Sequence, residues 1–88
     1  MLAEKYFYDL AMESKNIVGR RIVKARREAN PRISQKDLIA RLEVQGMKVD
    51  QSTLSKIEHG QRLVSDKEVV ALARALKVSV AWLLQAEK

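Results

Sequence analysis

Residues 50–60 read DQSTLSKIEHG, and their polar groups are of the kinds that can exchange hydrogen bonds with base edges. Only Leu54 and Ile57 are apolar, and their three-residue spacing puts them on one face of a helix. Gln51, Ser52, Ser55 and Lys56 then look the other way. Glutamine can exchange two hydrogen bonds with adenine, lysine can bond guanine acceptors, and serine suits either. A B-DNA major groove is wide enough to admit such a helix. Small Ser and Thr side chains would let its backbone approach closely, and the exposed face carries no carboxylate before Glu58. The plainer alternative for Lys56 is a solvated charge with no base to read.

Such a helix must be held by others, and the chain supplies the signals for them. Asp50 caps residues 50–59 and Gly60 ends them. Ser34-x-x-Asp37 is a capping-box-like start for the preceding helix, whose apolar face is Leu38, Ile39 and Leu42 and whose stop is Gly46. Upstream, Asn16 is a candidate cap for a helix with Ile17, Val18, Ile22 and Ala25 on one side and Arg20, Lys24 and Arg27 on the other. Gly19 sits early in it, at a cost of about 1 kcal/mol relative to alanine. Pro31 ends that segment, because the residue before a proline avoids helical geometry. Ser65-x-x-Glu68 is a full capping box for a fourth helix along Val69, Leu72, Ala73 and Leu76. Ser79 can cap a short fifth one containing Val80, Trp82, Leu83 and Leu84. Residues 2–14, with Leu2, Tyr6, Phe7 and Leu10, form a weak helical candidate. Hairpin signals are missing, so the expectation is an all-α domain of five short helices over residues 17–86, behind an N-terminal extension over residues 1–16.

Composition narrows the function classes. Aromatics are 5% of the 88 residues against 47% apolar in all, so the core must be aliphatic. With no cysteine there is no disulfide or thiolate metal site, and a lone His59 cannot build a metal centre without carboxylates around it. No nucleophile–base constellation or phosphate-cradling glycine loop stands out, so neither an enzyme nor a cofactor is expected. No apolar run nears the roughly 20 residues that span a bilayer. The scattered charges of MLAEKYFYDLAMESK do not make a signal peptide, and a cytoplasmic protein is expected. The net charge of +6 is concentrated: residues 17–62 hold eleven Lys/Arg against five Asp/Glu, while the two ends are near neutral. A basic middle is the footprint of a polyanion-binding surface, or of solvated helix faces in a basic protein.

From Ile17 to Leu84 the chain resembles the Cro/repressor-type (XRE-like) helix-turn-helix family. The resemblance is carried by IVGRRIVKARRE, ISQKDLIARL, QSTLSKIEHGQR and VVALARALKVSVAWLL, in that order and over about three-quarters of the chain. It implies a compact five-helix domain whose third helix enters the major groove of double-stranded DNA, usually as a dimer. Gln51, Ser52, Ser55 and Lys56 match base-contact positions, the last two alternatively phosphate positions. Gln35 matches a residue that bonds a phosphate and braces the reading helix, and Ser34 can donate to the same phosphate. His59, Gln61 and Arg62 fall where backbone contacts are common. Arg27 and Glu58 match an ion pair that joins the first and third helices in some relatives. The expected activity is that of a dimeric repressor on a near-palindromic site. The rival from another class is an antitoxin-like module that uses the same fold to hold a protein partner.

The sequence departs from the family pattern in places. LEVQGMKVDQST is about five residues longer than the usual connection, with Glu43 where a glycine is expected. The second helix should then run on to Gln45, with Met47 and Val49 pinned to the core and Lys48 offering a further phosphate contact. Ile39 replaces a small residue at the crossing of the two helices. Lys77 stands where a glycine commonly ends the fourth helix; either a left-handed lysine there costs about 1 kcal/mol, or the turn differs.

Overall fold

The computed structural model describes residues 14–88. The expectations for residues 2–13 lie outside the described residues. Five helices follow in order: α1 (Gly19–Glu28), α2 (Gln35–Val44), α3 (Gln51–Glu58), α4 (Asp66–Leu76) and α5 (Val80–Leu83). The four serine and aspartate caps fall where the sequence puts them. Ser34, Asp50, Ser65 and Ser79 each accept the backbone N–H three residues on. Ser34/Asp37 and Ser65/Glu68 close full reciprocal capping boxes.

The helix ends follow from the same local chemistry. Gly60 at φ +72° lets its own N–H reach the Ile57 carbonyl and the Gln61 N–H reach Lys56, a double closure of the last turn of α3. Gly46 at φ +84° does the same for α2, through Gly46 to Glu43 and Met47 to Leu42. Lys77 adopts φ +59° and closes α4 through the same pair of bonds, to Arg74 and from Val78 to Ala73. The lengthened connection is thus a regular helix stop followed by Met47, which is buried, and Val49, which is half-buried against the core.

The core is aliphatic, as the scarcity of aromatics demands: Ile22, Leu38, Leu42, Leu54, Ile57, Leu72 and Leu83 are fully buried. α3 rests on α1 and α2 through Leu54 and Ile57, and α4 backs both α1 and α2. Ile39 is half-buried against this core, so the larger side chain is accommodated at the helix crossing. Ile17 differs from expectation. It lies ahead of α1 and is 43% exposed, because the helix starts two residues later than the apolar spacing suggests.

Candidate nucleic-acid interface

Eight residues of α3 give two turns, and its two flanks differ in chemistry. Leu54, Ile57 and Glu58 are buried. Gln51, Ser52, Lys56 and the following His59 are exposed, and Ser55 is half-exposed beside them. At 100° per residue these outward positions fall within an arc of about 140°. The arc is continuous and carries an amide, two hydroxyls, an ammonium group and an imidazole. The carboxylate that would repel phosphates, Glu58, is turned inward.

Glu58 is held there by three hydrogen bonds. Arg26 donates from Nε at 2.7 Å and from a terminal guanidinium nitrogen at 3.0 Å, and Gln35 donates from Nε2 at 2.9 Å. The ion pair expected between Arg27 and Glu58 is therefore formed by Arg26 instead. One helix position is a 100° rotation, and Arg26 shares the inner stripe of Gly19 and Ile22, whereas Arg27 lies with Arg20 and Lys24 outside. Arg26 also donates to the Ile33 carbonyl at 3.1 Å, which ties the loop after α1 into the same cluster. Gln35 continues the chain of bonds, its Oε1 accepting from Gln51 Nε2 at 3.2 Å. A polar path thus runs from α1 through Glu58 and the first residue of α2 to the first residue of α3. Among the described residues no buried side-chain polar atom lacks a partner.

A second brace was not foreseen. Asn16 is more than a cap: its Oδ1 accepts from the Val18 and Gly19 N–H groups, while Nδ2 donates to the carbonyls of Ile57 and Arg62 at 3.0 and 2.9 Å. Lys15 N–H donates to the Gly60 carbonyl at 2.8 Å. Residues 14–16, grouped with the N-terminal extension by sequence, are therefore bonded into the domain at the end of α3. Gly19 has its reason here. A Cβ on it would sit 2.6 Å from the Ile57 and Glu58 carbonyl oxygens, so only glycine lets α1 approach α3 this closely. An early glycine in an otherwise good helix was the signal for that contact.

The remaining candidates divide. Ser34 is exposed, its Oγ accepting from Asp37 N–H, and it sits beside Gln35 at the start of α2. Lys48 is exposed on the connection ahead of Asp50, and Gln61 is exposed after Gly60. His59 Nδ1 lies 2.7 Å from the Ser55 carbonyl, and the residue is exposed. Arg62 is placed differently. Its guanidinium makes a two-pronged pair with Glu68 at 3.1 and 3.0 Å and also donates to the Leu63 carbonyl. Arg62 holds the Glu68 carboxyl below its ordinary range, and Glu68 in turn raises the guanidinium. The sequence did not suggest the groove between α1 and the end of α3. Arg20 and Arg27 line it together with Gln35 and His59, so two further cations stand beside α3.

The geometry agrees with comparison to known families. A family-wide profile described as Helix-turn-helix matches residues 23–83. The chain belongs to the Cro/XRE-like helix-turn-helix family. Searches of curated proteins and of solved structures return no match. Members of the helix-turn-helix family are DNA-binding transcription regulators, and their defining pair of helices is α2 and α3 here. The profile begins inside α1, so the Asn16 and Gly19 braces lie outside the matched residues. No helix among the described residues is long and apolar enough to cross a membrane.

Proposed function

We propose that the protein is a sequence-specific transcriptional repressor that binds double-stranded DNA as a dimer, on a near-palindromic site. The observation that carries this reading is the sorting of α3: Gln51, Ser52, Ser55 and Lys56 on the outward flank, with the carboxylate of Glu58 withdrawn onto Arg26 and Gln35. A surface built for a solvated helix has no need to bury its one C-terminal acid. A surface that enters a phosphate-walled groove does.

In this reading Gln51 and Ser52 meet base edges first, being in the first turn of α3, and Ser55 and Lys56 follow one turn later. Ser34 and Gln35 take a phosphate at the start of α2, and Lys48, His59 and Gln61 take others on either side of α3. The bond from Gln35 to Gln51 couples the phosphate grip to the base-reading amide, so docking and reading share one rigid unit. Two copies would present two such helices about one DNA turn apart.

Selection of binding sites from a random duplex library tests the proposal. The expected result is one preferred motif, with twofold symmetry and a half-site spacing near a helical turn, and Gln51→Ala relaxing preference at one position of each half-site. A protein that retains all duplexes alike, with the same salt dependence, is not a sequence-specific regulator. Duplex binding that appears only when a protein partner is present points to the interaction module instead.

A further inference from the structure

The groove between α1 and the end of α3 encloses about 750 Å³ and is continuous with the polar arc of α3, since His59 belongs to both. Its walls carry three guanidinium groups, from Arg20, Arg26 and Arg27, against one carboxylate, that of Glu58. Arg26 and Glu58 cancel one another at 2.7 Å. Arg20 and Arg27 are exposed and enter no ion pair among the described residues. The groove therefore holds two uncancelled positive charges. Lys24 gives the contrast. It shares their side of α1, but it does not line the groove, and it lies 4.0 Å from Glu28.

A concave wall of one sign focuses its field on whatever enters it, and the guanidinium fork matches the geometry of a phosphate. Arg20 and Arg27 are seven residues apart, close to two full turns, so they share one stripe with about 10.5 Å of rise between them. Successive phosphates of one DNA strand rise by only about 3.4 Å, so two groups this far apart can hold separate phosphates. We propose that the groove is a second grip on the DNA backbone, in which Arg20 and Arg27 each neutralise one phosphate of the strand that passes the end of α3. The inference rests on the regulator reading above and adds α1 to it, where that reading assigns phosphates only to the start of α2 and to residues on either side of α3. The grip supplies affinity without base preference, because a phosphate is the same under every base. The plainer account is two solvated charges on an exposed helix face.

Arg20→Gln, Arg27→Gln and the double variant separate the two accounts, with Arg74→Gln as control, since Arg74 is an exposed cation on α4, which backs α1 and α2. Each full-length protein is titrated over a range of salt on a mixed-sequence duplex and on the duplex selected by the parent. All four positions are exposed, so the variants should melt with the parent. The expected result is a salt slope lowered by about 0.9 for each arginine of the groove and about 1.8 for both. At 0.15 M salt that is about fivefold weaker binding per arginine, on both duplexes alike. Base preferences stay those of the parent, and Arg74→Gln leaves the slope unchanged. Single phosphates replaced by uncharged methylphosphonates then locate the grip: a substitution at a gripped phosphate weakens the parent and leaves the double variant unaffected. Slopes that coincide in the parent and the double variant overturn the inference, as does an equal fall in Arg74→Gln. Altered base preference in the double variant overturns it too, because the arginines would then read bases. Thermal protection by inorganic phosphate that the double variant loses, with the duplex slope unchanged, makes the groove a small-anion site and overturns it as well. A parent that binds no duplex removes the regulator reading and this inference together. A parent that binds every duplex alike, with the slope lowered in the double variant, removes the sequence-specific reading alone and supports the grip.

Discussion

Replacing Arg26 by alanine should be among the most damaging single changes in the domain, and replacing its neighbour Arg27 among the least. The Arg26 side chain is 12% exposed and its partner Glu58 4%. Removing the guanidinium takes away two of the three hydrogen bonds to the Glu58 carboxylate, leaving it buried with Gln35 alone. Breaking a buried pair from one side costs about 3–5 kcal/mol, most of it the penalty of the stranded charge. The whole domain has roughly 4–13 kcal/mol to lose, at 0.05–0.15 kcal/mol per residue. A loss of about 3 kcal/mol corresponds to a fall in Tm of roughly 12–24 °C for a domain of this size. Arg27 is exposed, and its removal should stay within about 0.5 kcal/mol. Urea and thermal unfolding followed by helical circular dichroism would give both values. In Arg26→Ala/Glu58→Ala the stranded charge is gone, so the double change should cost clearly less than the two single changes added. Equal losses for Arg26→Ala and Arg27→Ala, or strict additivity in the double variant, would refute the assignment of the pair.

Two further outcomes follow from the packing and from the second ion pair. Gly19→Ala should destabilise by about 1–3 kcal/mol, although alanine is the better helix former, because its Cβ meets two carbonyl oxygens at 2.6 Å; a melting temperature equal to or above the parent's would show that α1 and α3 are not in this contact. Arg62→Ala should leave the salt dependence of DNA binding nearly unchanged, since its charge is matched by Glu68, whereas a free phosphate-binding cation would lower the slope by about 0.9. The same pair sets a pH dependence. Glu68 has a lowered folded pKa, so its contribution is present above the unfolded value and is lost as pH falls through the folded one. In Arg62→Ala that acid-side loss should shrink, and acid titrations that superpose on the parent's would contradict it. Both partners are about a quarter to a third exposed, so the effect should stay near 1 kcal/mol at most.

Most of the architecture was legible because it is written in local chemistry. A hydroxyl or carboxylate followed three residues on by an acid, and a glycine after an apolar run, depend only on near neighbours. Ser34, Ser65, Ser79, Gly46 and Gly60 were each readable without any knowledge of the fold. Lys77 is harder to read: only the family's usual glycine at that place points to a left-handed residue, with a different turn as the alternative, and the chain takes the left-handed lysine. The start of α1 was less legible. Asn16 was readable as its cap, but the later start at Gly19 was not, and the bonds of Asn16 to Ile57 and Arg62 leave no periodic trace.

The same distinction explains the misplaced ion pair and the change in standing of Arg62. Both depend on which long side chain points at which distant partner. A register error of one residue in a helix moves a guanidinium by 100°, from the core seam to solvent. The outward grouping of Arg20, Lys24 and Arg27 already argued against Arg27 as the buried partner, and the 3.6-residue period ranks above matching by family position when the two disagree. The pairing of Arg62 with Glu68 has no sequence signal, because the Ser65-x-x-Glu68 capping box reads as complete without it. The carboxylate in fact has two uses: Glu68 Oε1 accepts from Ser65 N–H and from Arg62 together. Chemistry that must stay on the surface, such as the polar arc of α3, is visible in sequence because the apolar residues opposite define it. Chemistry that is neutralised inside the fold is not, because the partner that neutralises it lies 32 residues before Glu58 in the chain, and its second donor 23 residues before it. The polar surface of α3 and its brace therefore have to be found by different means, although the bond from Gln35 to Gln51 joins them.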